Sequence, residues 1–173
     1  MNDSIFQPNY TITPTIKTHL ENIKNKRWLI ENVLLMPKHE AWLGREVRVG
    51  RAVGTTRIEG AELDEPAVAR LDAQSVSRSD NADEQDNINA LQAYEFIDYL
   101  SDQRDIPVDE LVIRQLNRYF IANASSMLTP GVYRKGANSV GDYQPPDQGD
   151  VPGLMRSFAL WLRDDGDAIS PVL

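Results

Sequence analysis

The sequence predicts an all-α fold that carries one hairpin-like excursion. Three observations point there. Apolar residues recur three or four positions apart through five or six separate segments. No segment supports a convincing sheet. One long run, residues 128–153, is dense in Gly, Pro, Asn and Asp.

The first dozen residues read as an irregular or extended arm, after which Thr13 is the expected N-cap of a helix with Pro14 at its first position. Ile16, Leu20, Ile23, Ile30 and Leu34 follow at helical spacing until Met36-Pro37 interrupts them. A second helix is expected over 37–58. Its Leu43, Val47, Gly50, Gly54 and Ile58 fall on one side, and the two glycines suggest a close helix–helix approach there. Glu65-Pro66 opens a short helix to about residue 73. The polar stretch SVSRSDNADEQD then leads into a helix over roughly 82–102 with Leu91, Tyr94, Ile97 and Leu100. Pro107 is the expected start of the next, where Val108, Leu111, Val112, Leu116, Tyr119 and Phe120 form an apolar stripe. Within 128–153, Val132-Tyr133 and Val140 flank RKGANS and suggest a small hairpin. A last helix after Pro152 carries Leu154, Met155, Phe158, Trp161 and Leu162, and Ser170-Pro171 looks like the start of one more. No internal repeat is visible.

The 173 residues suit one domain, or one domain with an added layer, and 41% hydrophobic residues are enough for a real core. A net charge of −8 argues against a general nucleic-acid binder. The chain has no cysteine, which removes disulfides, thiolate nucleophiles and cysteine-ligated metals and fits a reducing compartment. The N-terminus lacks the basic and apolar regions of a secretory signal, and no apolar run approaches the roughly 20 residues needed to span a bilayer. A cytoplasmic protein with no membrane partner is the expectation.

Catalytic patterns are scarce. His19 and His39 sit among polar neighbours with no second ligand at metal spacing, and no phosphate loop, nucleophile elbow or HExxH occurs. The cluster Asp80, Asp83, Glu84 and Asp86 reads best as a helix N-terminus that favours negative charge. Arg45, Arg48, Arg51 and Arg57 read as a solvated face or as local partners for acids. No metal-ligating set and no catalytic residue is assigned.

One stretch raises a question. In AVGTTRIEGAEL, residues 52–63, Glu59 closes a helix at the end where unpaired carbonyls already leave about half a negative charge. Thr55 lies one turn earlier on the same face, and Gly60 can adopt the left-handed conformation that ends a helix. Ser or Thr, three residues, Glu, then Gly or Asn resembles the inhibitory motif of Fic (Fido) family proteins. FQPNYTITPTIKTHLENI is similar to the segment preceding many Fic domains, and DNINALQAYEFI resembles the first helix of the Fic core. TPGVYRKGANSVGDYQPPDQGDVPGLMRSFALWL is similar to the core's target-binding flap and the helix after it.

The resemblance covers nearly the whole chain. It implies an N-terminal inhibitory region over 1–75 and a partial Fic core over 76–173. It also implies a parent that transfers AMP from ATP, with Mg2+, onto a hydroxyl side chain of a target protein. The family's His-Pro-Phe and Gly-Asn-Gly-Arg signature would follow the last helix and does not occur here, so this chain is expected to be a truncated piece, inactive alone. In the family the inhibitory glutamate pairs with the signature's second arginine and misplaces the ATP γ-phosphate. That role falls on Glu59, with Thr55 and Gly60 fixing its helix end. The flap docks the target's backbone as an added strand, which here falls on Tyr133, Arg134, Asn138, Ser139, Val140 and Gly141. The plain alternatives are an exposed glutamate without a role and a Pro/Gly-rich surface loop. At the level of function, the alternative is a non-catalytic helical interaction module acting on another Fic protein in trans. Uncovered faces around Leu116, Phe120, Phe158 and Trp161 are expected to make the chain aggregation-prone or a homodimer.

Overall fold

The computed structural model describes residue 6 and residues 9–103, 105–122 and 129–164. The helix start expected at Ser170-Pro171 lies outside them. The described chain is six helices: α1 (Pro14–Asn32), α2 (Pro37–Ile58), α3 (Glu65–Ala73), α4 (Ala82–Asp102), α5 (Glu110–Phe120) and α6 (Val151–Asp164).

Local signals set most of the boundaries. Thr13 Oγ1 accepts the Ile16 N–H at 3.3 Å, Asp64 caps α3 through Ala67 N, and Asn81 caps α4 through Glu84 N. Pro14, Pro37 and Pro66 occupy first-turn positions where a missing N–H costs nothing. The fifth helix begins three residues later than Pro107 suggests. Asp109 is its cap, accepting from Val112 N at 2.9 Å, and that requires an extended Asp109 rather than a helical one.

α4 is the hub. It packs against α2, α3 and α5, and among the described helices α6 packs against α5 alone. Val49, Ala52, Val53, Val68, Ala90 and Leu91 form the core, with Leu63, Ala69 and Phe120 against it, so the 1–75 and 76–173 segments meet in one apolar cluster. The α2 face expected to pack is the wrong one. Val47 and Ile58 are exposed, and a Cβ added at Gly50 or Gly54 would meet nothing within 4 Å. The close approach is made instead by fully buried Ala52 and Ala90, whose small side chains let α2 and α4 come together. Arg48 and Arg51 then lie at the edge of that contact, paired with Asp72 at 3.0 Å and Asp98 at 3.1 Å.

The buried polar side chains Thr56, Gln85, Asn87 and Asn89 are partnered. Thr56 Oγ1 donates to Asn87 Oδ1 at 3.1 Å, tying α2 to α4. Asn89 Nδ2 donates to the carbonyls of Ala122 and Phe120 at 2.6 and 3.3 Å, satisfying orphan acceptors at the end of α5. The N-terminal arm is anchored as well. Phe6 donates its N–H to Ser157 Oγ at 2.7 Å and stacks edge-on against Phe158 and Trp161 of α6.

Candidate functional site

The end of α2 is a complete Schellman motif. Ala61 N donates to Thr56 O and Gly60 N to Arg57 O, both at 3.1 Å, and Gly60 takes φ +99°. This fixes Glu59 as the last residue of the turn, exposed to solvent. Its surroundings are negative. Asp86 is pushed above the ordinary carboxylate range by burial first, then by Asp83 and by Glu59 itself. Among the described residues no cation pairs with Glu59. Glu59 thus adds negative charge beside Asp86 at a helix end whose carbonyls are already negative.

Thr55 points away from that cluster. Its hydroxyl shares a 2.6 Å hydrogen bond with Tyr94 Oη on α4. The Arg51 guanidinium sits 4.8 Å from the centre of the Tyr94 ring while bound to Asp98, and Tyr94 meets Phe120 edge-on. Thr55 thus locks the last turns of α2 onto α4, and Gly60 shapes the end that presents Glu59. Tyr94, Arg51 and Asp98 complete this unit. Tyr94 reads in sequence as one more member of an apolar stripe, and nothing local signals that its hydroxyl meets Thr55, 39 residues away.

The excursion after α5 differs from the hairpin expected. Val132-Tyr133 does not pair with Val140. The strand-like contact is a single antiparallel bridge between Val140 and Tyr143, closed by hydrogen bonds of 3.1 and 3.0 Å around Gly141 at φ +57°. The reason is Arg134, whose guanidinium donates to the carbonyls of Gly136 and Pro146 and so pulls the loop around itself. Gly131 seats the loop's start: its N–H donates to Asn117 and its carbonyl accepts from Arg114 Nε at 2.7 Å. A Cβ on Gly131 would come within 3.0 Å of Arg114 O. Residues 135–140 are all exposed, Asn138 and Ser139 among them, and residues 135–139 make no backbone–backbone hydrogen bond among the described residues.

Tyr133 turns inward from this loop. Its ring lies 5.5 Å from the Arg114 guanidinium, and its hydroxyl oxygen is buried without a hydrogen-bond partner. Burial, then the nearby Glu110 carboxylate, pushes the phenol up to about 12 against the pull of Arg114 and Arg156. Beside it, α5 and α6 border an open cleft of about 520 Å³ with Leu111 and Leu160 on its walls and Arg156 and Arg163 at its rim.

Among the described residues no group of three or more His, Asp or Glu side chains is placed to hold a metal ion. No described helix is long and apolar enough to cross a membrane.

No protein-family model and no curated protein matches the sequence. The fold does have a counterpart. Over 92% of its length, at 23% identity and a TM-score of 0.69, the chain is similar to a Fic family protein of known crystal structure from Desulfovibrio desulfuricans G20, of which it spans 48%, about half.

Proposed function

We propose that this chain is the autoinhibitory and target-docking part of a Fic-type protein adenylyltransferase. The whole protein would be cytoplasmic and would move AMP from ATP, with Mg2+, onto a hydroxyl of a target protein. Glu59 is the inhibitory residue, meeting an arginine that lies outside the described residues. The exposed edge around 135–140 receives the target backbone.

The observation that carries this reading is the isolation of Glu59. This carboxylate stands at a helix C-terminus, near Asp86 and without a described cation partner, where the surrounding charge is negative. A fork-shaped guanidinium would reverse that balance through charge-assisted hydrogen bonds. Two further features agree. Thr55, Tyr94 and Gly60 hold the helix end rigidly enough to aim one side chain. The fold, too, is that of a Fic protein. The edge at 135–139 makes no backbone–backbone hydrogen bond among the described residues, and only its Gly136 carbonyl is engaged, by Arg134, so it suits a partner that adds a strand.

The test has two stages. Sequencing the locus past the codon for Leu173 should reveal His-Pro-Phe and Gly-Asn-Gly-Arg in frame. In the complete product, Glu59→Gly should then raise AMP transfer from labelled ATP at least tenfold, equivalent to about 1.4 kcal/mol. A locus without the motif, or a complete enzyme indifferent to Glu59→Gly, overturns the proposal.

A further inference from the structure

α6 is thinly held. Among the described helices it packs against α5 alone, its one buried residue is Ala159, and an open cleft of about 520 Å³ lies between the two helices. A helix of 14 residues is marginal in water without a packed face, so its order depends on what else touches it. Phe158 and Trp161 fall on the other side of α6 from the cleft residues Arg156, Leu160 and Arg163. Their rings stack 5.9 Å apart, and Phe6 closes over them with its centroid 5.0 Å from Phe158 and 5.1 Å from Trp161. The Phe6 N–H adds its 2.7 Å bond to Ser157 Oγ, joining positions 151 apart in the chain.

The grip is narrow. Phe6 is still 37% exposed, and residues 9–12 behind it are all exposed and make no backbone–backbone hydrogen bond among the described residues. One ring and one hydrogen bond thus stand against the conformational entropy lost in holding the arm, and the two lie near balance. Phe6 is also no member of the apolar cluster between α2, α3 and α4, so its release leaves that core intact.

We infer that the arm is a releasable strap that controls how firmly α6 is held on the helical body. Seated, Phe6 grips α6 opposite α5. Released, it leaves α6 to α5 alone and turns Phe158 and Trp161 to water, a local opening rather than a global one. The effect reaches the preceding loop, because that loop runs directly into α6 through the Leu154 N to Asp150 O bond and Arg134 holds its Pro146 carbonyl. Where residues 135–140 receive a target, the strap sets how steadily that edge is presented. This last consequence rests on the docking role proposed above; the strap itself does not.

Hydrogen exchange read by mass spectrometry on the whole chain tests it. In the wild type, amides of α6 should exchange faster than those of α4, as a strap that opens requires. Phe6→Ala should speed exchange across 151–164 by about tenfold and leave α2 and α4 unchanged, while Phe6→Trp should keep most of the protection. Wild-type protection in α6 equal to that in α4 overturns the inference. So does unchanged α6 exchange in Phe6→Ala, or an equal acceleration of α2 and α4, which would make Phe6 part of the global core. With Trp28→Phe and Trp42→Phe leaving Trp161 as the sole tryptophan, Phe6→Ala should also shift its emission to longer wavelength, and an unmoved emission counts against the contact. None of these readings involves AMP transfer, so the strap and the proposed activity fail separately.

Discussion

Asn89 offers the sharpest check on the packing. It is 1% exposed, and three groups depend on it. Its Oδ1 accepts from Gln85 Nε2 at 2.8 Å, and its Nδ2 serves the carbonyls of Ala122 and Phe120. Gln85 in turn accepts from Ser79 N at 2.9 Å, so one chain of amides links the loop before α4 to the end of α5. Asn89→Ala strands one buried donor and two acceptors. Each unsatisfied buried group costs about 1–3 kcal/mol, but Phe120 and Ala122 are only half-buried and water can reach them in part. A loss of about 3 kcal/mol follows, against a total stability on the order of 5–15 kcal/mol. For a chain of this size that lowers the midpoint by about 6–12 °C. Urea unfolding followed by far-ultraviolet circular dichroism measures it, with an unchanged m-value showing that the unfolded state is the same. A Gln85→Ala background sharpens the test. With the Gln85 donor already gone, Asn89→Ala should cost at least about 1 kcal/mol less than in the wild type. A loss below about 1 kcal/mol, or strict additivity of the two changes, would refute the network.

Further predictions concern backbone and charge. Ser75 ends α3 in the left-handed region at φ 51°, with Val76 N bonded to Leu71 O behind it, and Gly60 ends α2 in the same way. Ser75→Gly should therefore stabilise by about 0.5 kcal/mol, strain relief less the added freedom of the unfolded chain, while Gly60→Ala should cost about 1–2 kcal/mol. Equal effects in thermal melts would contradict the geometry. Tyr133 should ionise near 12, and Tyr133→Phe should remove that step from the ultraviolet titration. Because the folded value is raised, the buried neutral phenol favours the fold below pH 10, and that contribution disappears as pH climbs through 12. Glu59→Gln should lower the Asp86 pKa toward the ordinary range, read from its carboxyl carbon by NMR, since one of the charges raising it is gone. An unmoved Asp86 would separate the two carboxylates and remove the electrostatic basis for the role given to Glu59.

Helix ends proved legible because their signals are local. Thr13-Pro14, Pro37 and Glu65-Pro66 mark starts that require only the next turn to form, and the helices over Pro37–Ile58, Glu65–Ala73 and Ala82–Asp102 lie where the sequence places them. Which side of a helix is buried is a different kind of fact. Leu43, Val47 and Ile58 share a period with the glycines of α2, but α4 approaches through Ala52 instead. A zero-exposure alanine on another helix, Ala90, cannot be read from α2 alone. The loop failed for a similar reason. Val-Tyr and Val around a Gly-bearing hexapeptide are reasonable hairpin signals, and they lose to one arginine that collects carbonyls from both ends of the excursion.

The same division explains the candidate site. Glu59 and Gly60 were visible because a carboxylate at a helix C-terminus breaks a local rule, and broken local rules mark places where something non-local compensates. The compensation within the described chain turns out to be mechanical rather than electrostatic. Thr55 to Tyr94, Arg51 to Asp98 and Thr56 to Asn87 are three separate ties between the last two turns of α2 and α4. None neutralises Glu59. They hold the backbone so that the unfavourable charge is presented at a fixed point in space, and the Schellman turn keeps the following residues from folding back to shield it. Substituted by glutamine, Glu59 would relieve Asp86 of one nearby negative charge. On the proposed reading that charge is met by a cation from beyond these residues, and Glu59→Gln should then weaken the grip on whatever brings it.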